Sequence, residues 1–134
     1  MILDRKVLKD EIKKMIDEGS EKLFVLGFST LSCLNDLELD NIKINILVHS
    51  YDNKYRNIIK SLNKRDNITV KISTKAVHNF IVNKKKLIFL STNSKKDTAA
   101  FITNNETEAM KAYTLSENLW KNGYNLYFEM GNKT

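Results

Sequence analysis

Apolar residues recur along the chain with two rhythms, a helical one of three to four residues and a strand-like one of two or fewer, and their alternation predicts the order of elements. Residues 1 to 18 place Leu8, Ile12, Met15 and Ile16 on one stripe with Val7 beside it, and Lys, Asp and Glu fill the opposite face. This predicts an amphipathic helix, stopped by Gly19 and Ser20. Lys22 to Phe28 (KLFVLGF) is a short apolar run suited to a strand buried on both faces. A short helix over Ser29 to Leu39 follows, then a strand at Ile42 to Val48, a helix at Asn53 to Asn63 carrying Tyr55, Ile58, Ile59 and Leu62, and a strand at Ile68 to Ile72.

Beyond this point the rhythm changes. His78 to Val82 and Lys86 to Leu90 are strand-like runs joined by the polar turn Asn83, Lys84 and Lys85, which predicts an antiparallel hairpin. Thr98 to Thr103 predicts another strand, and Glu106 to Lys121 a helix whose core stripe is Ala109, Ala112, Tyr113, Ser116, Leu119 and Trp120. Glu106 and Glu108 suit its N-terminus, Lys121 its C-terminus, and Asn122 and Gly123 end it. The expected fold is α/β: a mixed sheet with a parallel βαβαβ start and an antiparallel meander, flanked by helices. Residues 1–122 form one domain and 123–134 a C-terminal tail that frays or pairs elsewhere. No internal repeat or linker interrupts the chain.

Composition narrows the class. At 134 residues, the chain is long enough to bury a core without disulfides or a structural metal, and its single Cys33 supplies neither. No membrane-length apolar run and no signal peptide is visible, so the expected location is the cytoplasm, with no membrane partner. The net charge of +6 raises nucleic acid as a partner, although a Lys- and Asn-rich composition also follows from coding bias. Distribution says more than the total. Between Lys54 and Lys96 stand twelve basic residues against Asp66 alone, and the remainder is net acidic. Lys71, Lys75, Lys84, Lys85, Lys86, Lys95 and Lys96 are the candidate anion-binding set, expected to adjoin the His78 segment.

In open α/β sheets ligands bind beyond the carboxyl ends of the parallel strands. Ser29 and Thr30 lie there after the first strand, His49 and Ser50 after the second, and with His78 and Ser91 they make up the candidate ligand site. Helix capping by Ser29 and Ser50 is the plainer alternative. Four glycines carry neither a phosphate loop nor a dinucleotide fingerprint, and the two histidines lack metal-ligand spacing, so no cofactor and no metal are expected. Cys33 among leucines reads as a core residue.

The segment VHNFIVNKKKLIFLSTN, after a βαβαβ pattern and before a strand and a helix ending in LW, resembles the second half of a phospholipase D-like domain. The resemblance implies His78 as nucleophile on phosphorus, a Lys two positions on, an acid across the hairpin, and a Gly-Ser-x-Asn to which Leu90, Ser91, Thr92 and Asn93 correspond. Phe80 stands in place of the Lys, Asn83, Lys84 and Lys85 in place of the acid, and Leu90 in place of the Gly. His78 and Asn93 are thus vestigial candidates in a degenerate site. Non-catalytic half-domains of this kind are similar to the effector or sensor domains of archaeal regulators, TrmB-type transcriptional regulators among them. The expected function is a non-catalytic regulatory or ligand-sensing domain, dimerising or joined to a regulatory module. The alternatives are a nucleic-acid-binding protein using residues 54–96 and a homodimeric phosphodiesterase or nuclease.

Overall fold

A computed structural model describes residues 5–18, 21–39, 42–92 and 98–126. The amphipathic stripe near the N-terminus forms α1 (Arg5–Asp17). Then follow β1 (Lys22–Leu26), α2 (Leu31–Asn35), β2 (Lys43–Val48), a single 3₁₀ turn (Asn53–Tyr55) running into α3 (Arg56–Asn63), and β3 (Ile68–Ile72). The second half holds β4 (Phe80–Val82), β5 (Leu87–Thr92), β6 (Thr98–Thr103), α4 (Glu106–Lys121) and β7 (Tyr124–Asn125).

The seven strands make one sheet in the order β6-β5-β4-β1-β2-β3-β7. β1, β2 and β3 are parallel, with Val25 opposite Ile46 and Ile46 opposite Val70. β4 lies antiparallel to β1, with Leu26 opposite Phe80 and Phe24 opposite Val82. β5 and β6 continue the antiparallel wing. The expected mixed α/β sheet is therefore what forms.

Strand residues point alternately to the two faces, so each strand contributes to two cores. Leu8, Ile12 and Met15 of α1, Leu31 and Leu34 of α2, and Ile59 and Leu62 of α3 pack with Val25, Ile44, Ile46, Val48, Ile81 and Ile88 on one face. On the other, Ala109 and Tyr113 of α4 pack with Phe24, Leu26, Leu47, Phe80 and Val82. Full burial of a side chain such as Ile12 contributes roughly 1.5–3 kcal/mol. Asn105 caps α4 by accepting hydrogen bonds from the N–H groups of Thr107 and Glu108, at 3.0 and 3.2 Å.

The β1 run stops at Leu26 because Gly27 adopts φ +92°, a left-handed conformation that favours glycine. A side chain there would overlap the Oδ1 of Asn79. Tyr124 and Asn125, which the sequence assigns to the tail, add β7 to the sheet opposite Ile72 and Lys71. No helix among the described residues is long and apolar enough to cross a membrane.

Candidate functional site

Parallel pairing puts the carboxyl ends of β1, β2 and β3 on one edge of the sheet, and the antiparallel β4 brings its own start, with His78 and Asn79, to the same edge. β5 runs antiparallel to β4 and delivers Ser91 there. Asn79 is the junction. Its Oδ1 accepts a 3.1 Å hydrogen bond from the Ser29 hydroxyl, and its carbonyl accepts one from the Leu90 N–H at 2.8 Å. Ser29 is thus tied to Asn79, a residue that sequence reasoning did not single out, and His78 and Ser91 lie at the same edge. The signal was in the glycine: Gly27 leaves room for the Asn79 side chain.

The other upper-edge candidates separate. Thr30 is buried and precedes α2 without a side-chain cap bond, so its hydroxyl does not face solvent. His49 is exposed and meets Phe28 edge to face, 5.1 Å between ring centres. Phe28 stacks on Tyr55 at 4.4 Å, Lys54 lies over the Tyr55 ring and Arg56 over Tyr51. Ser50 is half-buried beside this aromatic and basic cluster. The capping alternative places the caps differently from the structure: Ser29 bonds Asn79, and Asp52 caps the 3₁₀ turn by accepting from the Lys54 N–H.

His78 itself is exposed and makes no hydrogen bond or ion pair among the described residues. Its ring neighbours are Phe80 and Phe89, at 6.3 and 6.5 Å. Phe80, where the resemblance asks for lysine, is 3% exposed and belongs to the α4-side core. Asn83, at the hairpin where it asks for an acid, is buried and accepts hydrogen bonds from the Lys85 and Lys86 N–H groups, at 2.8 and 2.7 Å. Among the described residues, neither of these two positions offers the imidazole an ammonium to neutralise phosphoryl charge or a carboxylate to set its proton. Asn93 lies outside the described residues, as do Lys95 and Lys96.

Among the described residues, the candidate lysines do not form one strip beside His78. Because β4 runs away from the His78 edge, the hairpin with Lys84, Lys85 and Lys86 lies at the opposite edge, near Lys22 and Lys43. That corrects the expectation of adjoining His78 for Lys84, Lys85 and Lys86, whereas Lys71, near the carboxyl end of β3, and Lys75, between β3 and β4, stay toward the His78 edge. Lys86 is 7% exposed, and its Nζ lies 3.6 Å from Glu11 and 3.8 Å from Glu18. Lys71 is half-buried, its Nζ donating to the Trp120 carbonyl at 3.1 Å and lying 4.5 Å over the Trp120 ring. Lys75, Lys84 and Lys85 are exposed. No group of three or more His, Cys, Asp and Glu side chains able to hold a metal occurs among the described residues.

No protein-family model and no curated protein sequence matches the chain. Among solved structures it is similar to NucT from Helicobacter pylori, with TM-score 0.72 and 14% identity over 94% of this chain and 96% of that one. It is also similar to TrmBL2, an archaeal chromatin protein described as showing a novel mode of DNA binding, with TM-score 0.61 and 10% identity over 91% of this chain. The chain spans about half the length of TrmBL2, 51%. At such identities the likeness is one of fold, and through NucT, matched nearly end to end, that fold is the phospholipase D-like half-fold.

Proposed function

We propose that the chain is a non-catalytic regulatory domain of the cytoplasm that works as a homodimer, its phospholipase D-like edge retained as a binding surface. The observation that carries the reading is Phe80. The position where a phosphate-holding lysine would stand is occupied by a core residue packed with Phe24, Leu26 and Tyr113. Support for a second copy comes from Phe80, Phe89 and Phe101, which are directly opposite one another on β4, β5 and β6. Their exposure rises outward from 3% to 38% to 62%, leaving an apolar row on a sheet wing.

The test is hydrolysis of bis(p-nitrophenyl) phosphate and of a short single-stranded DNA. The expected result is no turnover, with wild type and His78→Ala alike. Turnover abolished by His78→Ala overturns the reading in favour of a homodimeric phosphodiesterase. Nucleic-acid binding is the second reading, favoured by the exposed Lys75, Lys84 and Lys85 and by the fold likeness to TrmBL2. It requires affinity that falls steeply with salt and is lost in Lys84→Glu/Lys85→Glu.

A further inference from the structure

At the edge of the sheet opposite His78 a concavity of about 280 Å³ opens between the β4–β5 hairpin, the start of β1 and α4. At roughly 30 Å³ per water it has room for about nine waters, the size of a small organic molecule. It is lined by Glu18, Glu21, Lys22, Asn83, Lys84, Lys85 and Tyr113.

Three features make this more than a patch of surface charge. First, the hairpin is held: buried Asn83 accepts from the N–H groups of Lys85 and Lys86, and Lys86 is drawn against Glu11 and Glu18 of the α1 segment. Lys84 and Lys85 on this hairpin line the concavity. Second, two of the ammonium groups rest against rings, Lys22 5.6 Å over Phe24 and Lys84 5.8 Å over Tyr113. Third, Lys22, Lys84, Lys85 and Glu21 line the same space, yet none of them forms an ion pair among the described residues. The Glu21 charge nevertheless reaches Tyr113, whose ionisation is pushed up mainly by burial and then by Glu117 and Glu21. The phenol therefore stays a hydrogen-bond donor.

Opposite charges left apart across a cavity match a ligand that carries both signs. We infer that this concavity is a binding site for a small zwitterion of the α-amino-acid class, its acid group on Lys84, Lys85 and the Tyr113 hydroxyl and its ammonium on Glu21 and Glu18. A ligand bridging the two sets makes charge-assisted hydrogen bonds at both ends, whereas a simple anion meets the carboxylates and a simple cation meets the lysines. The site is independent of the His78 edge.

Calorimetric titration tests it, using the standard α-amino acids one at a time, their N-acetyl and C-amide derivatives, and sodium phosphate. At least one amino acid is expected to bind with a dissociation constant of about 1 mM or tighter, equivalent to roughly −4 kcal/mol. Blocking either end, or introducing Glu21→Gln or Lys85→Ala, is expected to weaken binding about tenfold or more, with the thermal midpoint of the unliganded variants unchanged. His78→Ala should bind as wild type does, which separates this site from the reading of the upper edge. Failure of every amino acid to bind overturns the inference. So does equal binding of phosphate or of an N-acetyl derivative, which would mark a plain anion site.

Discussion

Lys86 shows at the scale of one residue how neighbours decide what a charge does. In the sequence it is the third of three equal lysines; in the fold it is buried against Glu11 and Glu18, while Lys84 and Lys85 stay in solvent. Lys86→Ala is expected to lower stability by about 1–3 kcal/mol, read from the urea midpoint, and Lys86→Met by less, since the methionine keeps the packed stem. Gly27 is the second informative position. Gly27→Ala combines a left-handed backbone with overlap on Asn79, and a loss of about 1–3 kcal/mol is expected by urea denaturation. Tyr113 gives a pH signature. Its folded-state ionisation lies above the ordinary 10.0, so the unfolded chain releases that proton first as the medium becomes alkaline. Its contribution to stability is fully present below pH 10.0 and lost as pH rises through the higher folded value. Alkaline urea curves should therefore fall less steeply for Tyr113→Phe than for wild type. None of these three roles was legible in the sequence, because each depends on a contact between residues far apart in the chain.

Among the elements, those with sustained periodicity were legible and those bounded by special backbone were not. The strand at Ile68 to Ile72 and the helix at Glu106 to Lys121 form as their patterns predict. The KLFVLGF run loses its last two residues because Gly27 turns the chain, and the helix expected over Ser29 to Leu39 contracts to the five residues of α2. The strand expected at His78 begins only at Phe80, since His78 and Asn79 cross the edge where Asn79 is tied to Ser29. Asn105 was passed over in favour of the acidic first turn, yet its side chain holds the first N–H groups of α4. Asn105→Ala is expected to destabilise the protein by about 1 kcal/mol, with the loss seen first as faster amide exchange in the opening turn of α4.

For the whole molecule, the count of charges along the chain was a poor guide to their arrangement, because β4 carries the basic hairpin away from His78. The half-fold itself was legible, since the order of elements and the His78 segment are both readable in one dimension. The apolar row was not: Phe80, Phe89 and Phe101 are separated by nine and twelve residues and align only through strand register. Phe89→Asp with Phe101→Asp is expected to convert a dimer to a monomer in light scattering, leaving far-UV circular dichroism unchanged. An unaltered mass would exclude this face as the interface. The sheet's two outer strands carry a further consequence. Among the described residues one margin is the six-residue β6 and the other the two-residue β7. A long margin offers a ladder of N–H and C=O groups to another strand, and a margin of two residues offers almost none. Sheet-to-sheet joining across β6 would then be of like with like, using up the one long ladder that the described residues offer in each copy. Such growth closes at two and does not propagate into fibres.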